Sequence, residues 1–207
     1  HPFAGWGGGA AGIFPGLGAG EDVRKHLALA ADPASALGRA DANPFREDLE
    51  EAVRRLGRDT YMLDVVEVGG AVLGAVAGDV VLAHREGVDL ARPWCEVEAE
   101  PADAVVVSAP LPRSASLAEA SSLVAPAGLL LKDGGTVIVA AECPEGTGPR
   151  SAVGEEAFAL GLRRYLPPRH ARYLVSGMDE ATVRGTWATF APSLGWALER
   201  AREAAGK

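Results

Sequence analysis

The segment from Ala104 to Ala141 reads AVVVSAPLPRSASLAEASSLVAPAGLLLKDGGTVIVAA and decides the fold of the second half of the chain. Its two ends, AVVVSA and TVIVAA, are unbroken runs of small and β-branched apolar residues, and the stretch between them is helical in character. Strands without polar alternation are buried on both faces, as in parallel sheets that helices cover. The segment therefore predicts a strand, a helix and a second strand of a parallel sheet.

The same alternation continues along the rest of the chain. A predicted turn at Lys132–Gly135 precedes TVIVAA, and EEAFALGLRRYL, ARYLVS and two further helical stretches follow it. We therefore predict the α/β class, with residues 101–207 forming a small Rossmann-like C-terminal lobe around a parallel sheet. Such a pattern usually adds a strand after its last helix, so this lobe is expected to lack its last strand.

Residues 1–100 have a different pattern and are predicted to form a separate mixed α/β lobe. In FREDLEEAVRRLG, Leu49 and Val53 lie on one face of a helix that Gly57 would end. Two apolar, β-branched runs then meet at a Gly-Gly pair at 69–70, which predicts a β-hairpin. Asp79 can cap the helix that follows.

The composition excludes several classes of partner. The formal charge is -8 and the sequence pI is about 5.1, which disfavours nucleic acid and anionic membranes because both bind clustered Lys and Arg. No apolar run reaches the roughly 18 residues of a membrane span, and the chain does not open like a signal peptide. The two cysteines fit neither a disulfide framework nor a metal knuckle. We expect a cytoplasmic protein with a small-molecule ligand.

A glycine-rich stretch at the start of the chain, HPFAGWGGGAAG, is the candidate ligand site. Glycine permits positive φ and close approach of the backbone to a ligand. Gly7–Gly12 matches the letters of the dinucleotide fingerprint, but that fingerprint needs a preceding strand, and only a few residues come before it. The match is therefore expected to be accidental, and the chain to be cut from a longer protein.

His1 begins this stretch and His26 follows it, so the two histidines bracket the glycines, and each is a candidate metal ligand or general base. An isolated histidine is more often structural, and that interpretation is kept for His84 and His170. Only their position around the loop distinguishes His1 and His26 from His84 and His170.

Several separated blocks, in the same order, resemble the nickel-pincer-nucleotide-dependent lactate racemase family. They are the HxFAGxxGG and IFPG opening, NPFREDLEEA, VLGAVAGD with AHREGV, DAVVVSA, and KDGGTVIVAAECPEGTG. The resemblance extends over nearly the whole chain but covers only the later half of such a protein. It implies a missing amino-terminal portion that carries another catalytic histidine and residues that hold the cofactor phosphate.

The resemblance also implies a chemistry. In that family a nicotinate-derived mononucleotide binds nickel through two sulfurs and a carbon, and a histidine is the fourth ligand. A histidine takes the hydroxyl proton of a 2-hydroxy acid while the Cα hydride moves to the cofactor, and return of the hydride to the other face inverts the centre. Imidazole suits both roles, since its pKa is near neutrality and it binds nickel well.

Carried onto this sequence, the resemblance makes His1 an acid/base residue and His26 the nickel ligand. The positions it assigns to cofactor binding are Gly8, Gly9, Ala11 and Pro15. Ala11 stands where the family has a lysine that forms a thioamide with the cofactor. Alanine cannot form that bond, so a bound cofactor is expected to be held non-covalently.

A second departure concerns the substrate. Where the lactate-active pattern has Tyr-Gln-x-x-Lys, this chain has Ala118, Glu119 and Ser122. The resemblance makes Glu119 and Ser122 substrate-binding positions, and a carboxylate there would repel the carboxylate of lactate. A larger, neutral or cation-bearing 2-hydroxy compound is expected instead.

Two hypotheses follow, and a third is kept as an alternative. The first is part of a 2-hydroxy acid racemase or epimerase that is inactive without its amino-terminal portion. The second is a degenerate homologue that binds a nucleotide or other small molecule without catalysis, which Ala11 and Ser122 favour. The third, an NAD-dependent dehydrogenase, requires a strand before the glycine-rich stretch.

Overall fold

The computed structural model describes residues 2–56, 59–149 and 152–206. It divides into two compact units, His1–Glu98 and Ala99–Lys207, which we call the first and the second unit. None of the described helices is long and apolar enough to cross a membrane.

The described residues of the first unit form three α-helices and one two-stranded sheet. In chain order these are α1 (Gly20–Ala28), α2 (Pro44–Arg55), β1 (Met62–Val68), β2 (Ala71–Gly78) and α3 (Val80–Cys95). Short 3-10 turns at Pro2–Ala4, Gly9–Gly12 and Leu29–Ala31 shape the remainder. The predicted second helix is confirmed as α2, and it begins where the Asn43 side chain accepts a hydrogen bond from the Arg46 backbone N–H at 3.1 Å.

The predicted hairpin is confirmed as β1 and β2. The strands are antiparallel, with Met62 opposite Gly78 and Val68 opposite Ala71. Gly69 and Gly70 take φ angles of 61° and 84°, as a two-residue turn with two positive φ angles requires.

Helix α3 covers one face of this hairpin. It begins as predicted at Asp79, whose carboxylate accepts hydrogen bonds from the Val81 and Leu82 N–H groups at 2.9 and 3.0 Å. These bonds lower the pKa of Asp79. Gly87 lets the helix approach closely, because a Cβ there would lie 3.2 Å from a Val76 methyl group.

The second unit is built on a parallel sheet of four strands in the order β3-β4-β5-β6. The strands are β3 (Ala102–Ser108), β4 (Leu131–Ala140), β5 (Ala171–Val175) and β6 (Thr189–Phe190). The helices are α4 (Leu117–Ala120), α5 (Val124–Leu129), α6 (Ala152–Tyr165), α7 (Glu180–Arg184) and α8 (Leu194–Ala204).

The central strand β4 is buried on both faces. Val137 and Val139 pack with helices α4 to α7 on one side, whereas Ile138 packs with Ala197 and Ala201 of α8 on the other. All three β4 side chains have no exposed surface. The α/β class predicted from unalternated strands is therefore confirmed, with the sheet parallel as expected.

One local prediction in the second unit is wrong, and one strand was not predicted. The turn predicted at Lys132–Gly135 lies inside β4, which starts at Leu131 and shifts its register against β3 there. Gly134 takes a φ of 73°, so the chain is irregular at this point without reversing. β6 was not predicted, because two residues are too few to produce a strand pattern.

Candidate functional site

His26 is buried between two aromatic rings in the first unit. It lies on α1 and its residue is 3% exposed. The Phe45 ring centroid is 3.8 Å from the imidazole centroid, and Phe14 meets the imidazole edge-on at 5.1 Å. These contacts fix the plane of the imidazole and keep water from most of it.

The two nitrogens of His26 have different surroundings. Nδ1 lies 2.7 Å from Oδ2 of Asp48 on α2, so Nδ1 carries the proton and donates a hydrogen bond to the carboxylate. Nε2 is buried and has no hydrogen-bond partner among the described residues. Burial lowers the pKa of His26 more than Asp48 raises it, so the neutral ring prevails at neutral pH. A neutral imidazole of this tautomer leaves a free lone pair on Nε2, the form that binds a metal.

A cleft of about 630 Å³ is lined by His26 and lies along α1 and α2. Its apolar lining includes Ile13, Phe14 and Leu17, and its polar lining includes Asp48 and Glu51. The volume lies within the roughly 300–1,000 Å³ range of small-molecule sites.

The glycine-rich loop, residues 3–9, packs against two side chains of the hairpin and α3. Gly8 and Gly9 have φ angles of 74° and 63°. A Cβ at Gly8 would lie 2.8 Å from the Asp64 carboxylate, and one at Gly9 would lie 2.8 Å from the His84 ring. A methyl group at Gly9 would therefore collide with the His84 ring, whereas one at Gly8 would displace only the end of the Asp64 side chain. Both positions also have the positive φ that glycine adopts readily.

Buried polar side chains bind the carbonyl groups of the glycine-rich loop. Arg46, which has no exposed surface, donates from Nε to the Ala4 carbonyl at 2.8 Å and from Nη2 to the Trp6 carbonyl. Asn43 donates to the Phe3 carbonyl at 2.9 Å. His84 Nε2 lies 2.9 Å from the Gly7 carbonyl and donates to it. Side chains therefore supply most of the donors to the loop carbonyls, and the Gly38 backbone N–H donates to the Gly5 carbonyl at 3.1 Å.

Charged groups from three elements surround Arg46. Burial lowers the pKa of Arg46 to about 10, and Glu50 one turn further along α2 opposes that shift. Glu50 accepts a hydrogen bond from Arg85 at 2.7 Å, and Arg85 also binds Asp41 at 2.6 Å. Burial and the nearby Arg46 charge lower the pKa of His84, which is therefore neutral and suited to donate one N–H to Gly7.

Arg46 and His84 were not predicted as site residues. For Arg46 the sequence does contain a signal, because it precedes Leu49 and Val53 by helical spacing and so lies on the apolar face of α2. An arginine on a buried face must have partners, and the loop carbonyls provide them. His84 gives no comparable signal, and it is buried as its structural interpretation predicts.

The other predicted residues of the first unit lie around the same loop. Ala11 is half-buried in the Gly9–Gly12 turn, and Pro15 is exposed beside the Phe14 that touches His26. His1, the predicted acid/base residue, lies outside the described residues. No group of three or more His, Cys, Asp or Glu side chains that could hold a metal occurs in the described parts of the chain.

Glu119 and Ser122 belong to the second unit, where Glu119 has a structural role. Its carboxylate accepts from the Ser116 N–H at 3.2 Å, and its own N–H donates to Ser116 Oγ at 3.3 Å. This reciprocal capping box starts α4, and the spacing Ser116-x-x-Glu119 is its sequence signal. Ser122 is exposed in the turn that follows α4.

The packing of the loop predicts different effects at two neighbouring glycines. Gly9→Ala should lower the free energy of unfolding by about 1–3 kcal/mol, because the methyl group meets His84 and the φ angle is positive. Gly7→Ala is the control, since a Cβ there meets nothing within 4 Å. Urea unfolding followed by circular dichroism measures both. Equal losses in the two variants would contradict the described packing.

The buried histidines predict how stability depends on pH. Because the folded-state pKa values of His26 and His84 lie below 6.5, the unfolded chain binds more protons between the folded and unfolded values. The free energy of unfolding should therefore fall as the pH drops from about 7.5 to about 5.5. His84→Gln, which retains an N–H for Gly7, should make the dependence shallower. Stability that rises towards the acid side in urea titrations would refute this.

Two curated relatives are similar to most of this chain, which matches less than half of each of them. The chain is 28% identical to a lactate racemase from Thermoanaerobacterium thermosaccharolyticum over 192 residues, which is 90% of this chain and 43% of the relative. It is 25% identical to a lactate racemase from Lactiplantibacillus plantarum over 151 residues, which is 72% of this chain and 36% of the relative. No family model matches the chain.

Comparison with solved structures agrees with the sequence comparison. The solved lactate racemase apoprotein from T. thermosaccharolyticum superposes with a TM-score of 0.85 and 25% identity, over 99% of this chain and 56% of that one. A Thermotoga maritima protein from a structural genomics consortium has a TM-score of 0.61 at 15% identity, over 93% of this chain and 58% of its own, and shows the fold alone. The chain thus spans less than half the length of the curated relatives. The resemblance predicted from the sequence is confirmed: in sequence and in fold, this chain is related to the lactate racemase family.

Proposed function

We propose that the chain is part of a 2-hydroxy acid racemase or epimerase that works by hydride transfer through a nickel-pincer nucleotide. The observation that carries the proposal is the difference between the two ring nitrogens of His26. Nδ1 is hydrogen-bonded to Asp48, and Nε2 is buried without a partner among the described residues. A buried polar atom without a partner is costly, and a metal ligand is one reason for it to be retained.

The residues around His26 are suited to bind the nickel ion of such a cofactor. His26 would be the protein ligand, through Nε2, and Asp48 would orient the ring and increase its basicity through Nδ1. Phe14 and Phe45 would exclude water from the imidazole. The bound group would supply nickel and a carbon that accepts a hydride.

The glycine-rich loop would form a wall of the cofactor site, with Gly8, Gly9 and Pro15 close to the nucleotide. Ala11 puts a methyl group where the family has its attachment lysine, so the cofactor would be held by non-covalent contacts alone. His1 would exchange the hydroxyl proton on one face of the substrate, and the second acid/base histidine would do so on the other face after inversion. In this proposal residues 1–100 are the catalytic lobe, and residues 101–207 are a Rossmann-like C-terminal lobe.

The remaining catalytic groups would come from the rest of the protein. The curated relatives are about twice as long as this chain, which supports a missing portion. We place that portion at the amino-terminal side, with the second acid/base histidine and the groups that hold the cofactor phosphate. The chain by itself would be inactive.

The substrate would not be lactate. Glu119 is exposed at the start of α4, and Ser122 replaces the lysine that would attract a substrate carboxylate. The Glu119 carboxylate is already tied to Ser116 by the capping box, so its position is fixed. A carboxylate fixed there favours a larger, neutral or cation-bearing 2-hydroxy compound.

A second candidate is a degenerate homologue that binds a nucleotide or small molecule without catalysis. Ala11 favours it, because the lost attachment removes one means of keeping the cofactor during turnover.

Nickel content separates these candidates. The protein, extended by its adjoining coding sequence to the length of its relatives, is purified from a host that makes the cofactor, and nickel is measured by mass spectrometry. About one nickel per chain is expected, with at least a tenfold loss in His26→Asn, because asparagine keeps the donor to Asp48 and removes Nε2.

Glu51→Gln is the matched control, since Glu51 lines the same cleft without binding the imidazole. Chiral chromatography on a panel of 2-hydroxy acids then tests turnover. Nickel that persists in His26→Asn would refute the ligand assignment, and loaded protein that inverts no compound of the panel would favour the degenerate homologue.

A further inference from the structure

The second unit contains a pocket of about 540 Å³ between α4, α6 and α7, which we call the aromatic pocket. Its apolar walls include Leu117 of α4, Phe158 and Leu162 of α6, and Trp187, which follows α7. The Phe158 and Trp187 rings lie 5.7 Å apart between centroids, at an angle of 57°. Small-molecule sites have volumes of roughly 300–1,000 Å³, so this pocket has room for a ring-sized group.

The space exists because four of the lining positions have at most a methyl group as their side chain. They are Ala118, Gly154, Ala159 and Gly185. At Gly185 a Cβ would meet the Thr182 carbonyl oxygen at 3.8 Å, which is an ordinary contact. The packing of the protein therefore does not require a glycine there, and a larger side chain would fill space that the chain leaves open.

The hydroxyl groups of the lining are engaged within their own segments. Ser121 Oγ donates to a backbone carbonyl of α4 at 2.7 Å, and Thr186 Oγ1 donates to one of α7 at 2.7 Å. Thr182 Oγ1 donates to the Asp179 carboxylate at 3.1 Å. Because these hydrogens are already used, the pocket presents mainly apolar surface to a ligand. Trp187 Nε1 is buried without a partner among the described residues, so a ring that packs beside the indole breaks no hydrogen bond of Nε1.

The charge of the lining disfavours an ionised ligand group. Among the described residues that line the pocket, none is Lys, Arg or His, and Glu155 is the one with a charge. An anion would be repelled by this carboxylate, and a cation would lose water against the apolar walls. An uncharged aromatic ring loses little hydration, and it can pack at an angle against the Phe158 and Trp187 rings.

The aromatic pocket is formed by the same segment that carries the predicted substrate positions. Leu117 and Glu119 belong to α4, and Ser121 of the pocket directly precedes Ser122. The helices α4, α6 and α7 follow the carboxyl ends of β3, β4 and β5, the edge at which parallel sheets bind their ligands. A substrate held at Glu119 and Ser122 would therefore have the pocket beside it.

We propose that the aromatic pocket binds an uncharged aromatic ring, and that this ring is the substituent on C2 of the 2-hydroxy substrate. The first part goes beyond the proposed function and does not depend on it, whereas the second part rests on it. The methyl group of lactate would leave most of this pocket empty.

Binding to the 207-residue chain tests the first part. The chain is titrated with benzyl alcohol, and the indole N–H signal of Trp187 is followed in ¹H–¹⁵N spectra. Its loss in Trp187→Phe assigns the signal. We expect a saturable shift with benzyl alcohol. Benzoate and benzylammonium carry the same ring with a charge, and they should bind on the order of tenfold more weakly because the charge must be desolvated.

Variants of α6 locate the binding site. Ala159→Phe places a ring inside the pocket and should weaken benzyl alcohol binding on the order of tenfold. Ala157→Phe is the matched control, because Ala157 is also half-buried on α6 but lies outside the lining, and it should leave the affinity unchanged. Trp187→Leu, which removes one ring of the wall, should also weaken binding. Circular dichroism verifies that each variant is folded.

Turnover tests the second part, in the nickel-loaded protein extended to the length of its relatives. The substrates are 2-hydroxy-3-phenylpropanamide and 2-hydroxypropanamide, which are uncharged and differ only in the ring. The kcat/KM for inversion should be on the order of tenfold higher for the phenyl compound. Ala159→Phe should abolish this preference and leave the rate on the methyl compound unchanged.

The outcomes separate this proposal from the proposed function. The first part is overturned by the absence of a saturable shift with benzyl alcohol, by tighter binding of either charged analogue, or by equal effects of Ala159→Phe and Ala157→Phe. A phenyl preference that persists in Ala159→Phe would overturn the second part and leave the proposed function intact. Benzyl alcohol binding without inversion of any 2-hydroxy compound would refute the proposed function and the second part, and it would support the first.

Discussion

The first unit depends on a buried arginine. The glycine-rich loop has few side chains and no strand partner, so its carbonyl groups must find donors elsewhere. Arg46 provides two of them, to Ala4 and Trp6, from a position without solvent exposure. A buried guanidinium needs a counter-charge, and Glu50 on the same helix supplies it while also binding Arg85. The contacts of Arg46 with the loop, together with the Glu50–Arg85 ion pair, thus join the loop, α2 and α3.

The same helix organises the candidate metal ligand. Asp48, two residues after Arg46, fixes the tautomer of His26, and Phe45 packs on the imidazole ring of His26. Because neighbouring residues of α2 bind the loop and the imidazole, a shift of this helix would move both. In the proposed cofactor site, preorganisation would therefore come from α2 rather than from the glycines, whose small size permits the close packing.

The sequence predicted the elements whose signals are local. The Gly69-Gly70 turn, the Asp79 cap and the unalternated strands depend on neighbouring residues, and the structure has all of them. The partners in the site could not be predicted in this way. His84 and Gly7 are 77 residues apart, and His26 and Asp48 are 22 apart, so their contacts exist only after α1, α2 and α3 have packed. The capping box of Ser116 and Glu119 also had a local signal, but it was not predicted.

The central claim is that Arg46 holds the glycine-rich loop in one conformation. Backbone ¹⁵N relaxation of Gly5, Gly7, Gly8 and Gly9 in the wild type and in Arg46→Lys tests it, since lysine keeps the charge and loses the fork of donors. We predict order parameters of about 0.85 in the wild type and below about 0.6 in the variant, with β4 unchanged. Loop order parameters that stay at the wild-type value in a folded Arg46→Lys protein would contradict the claim.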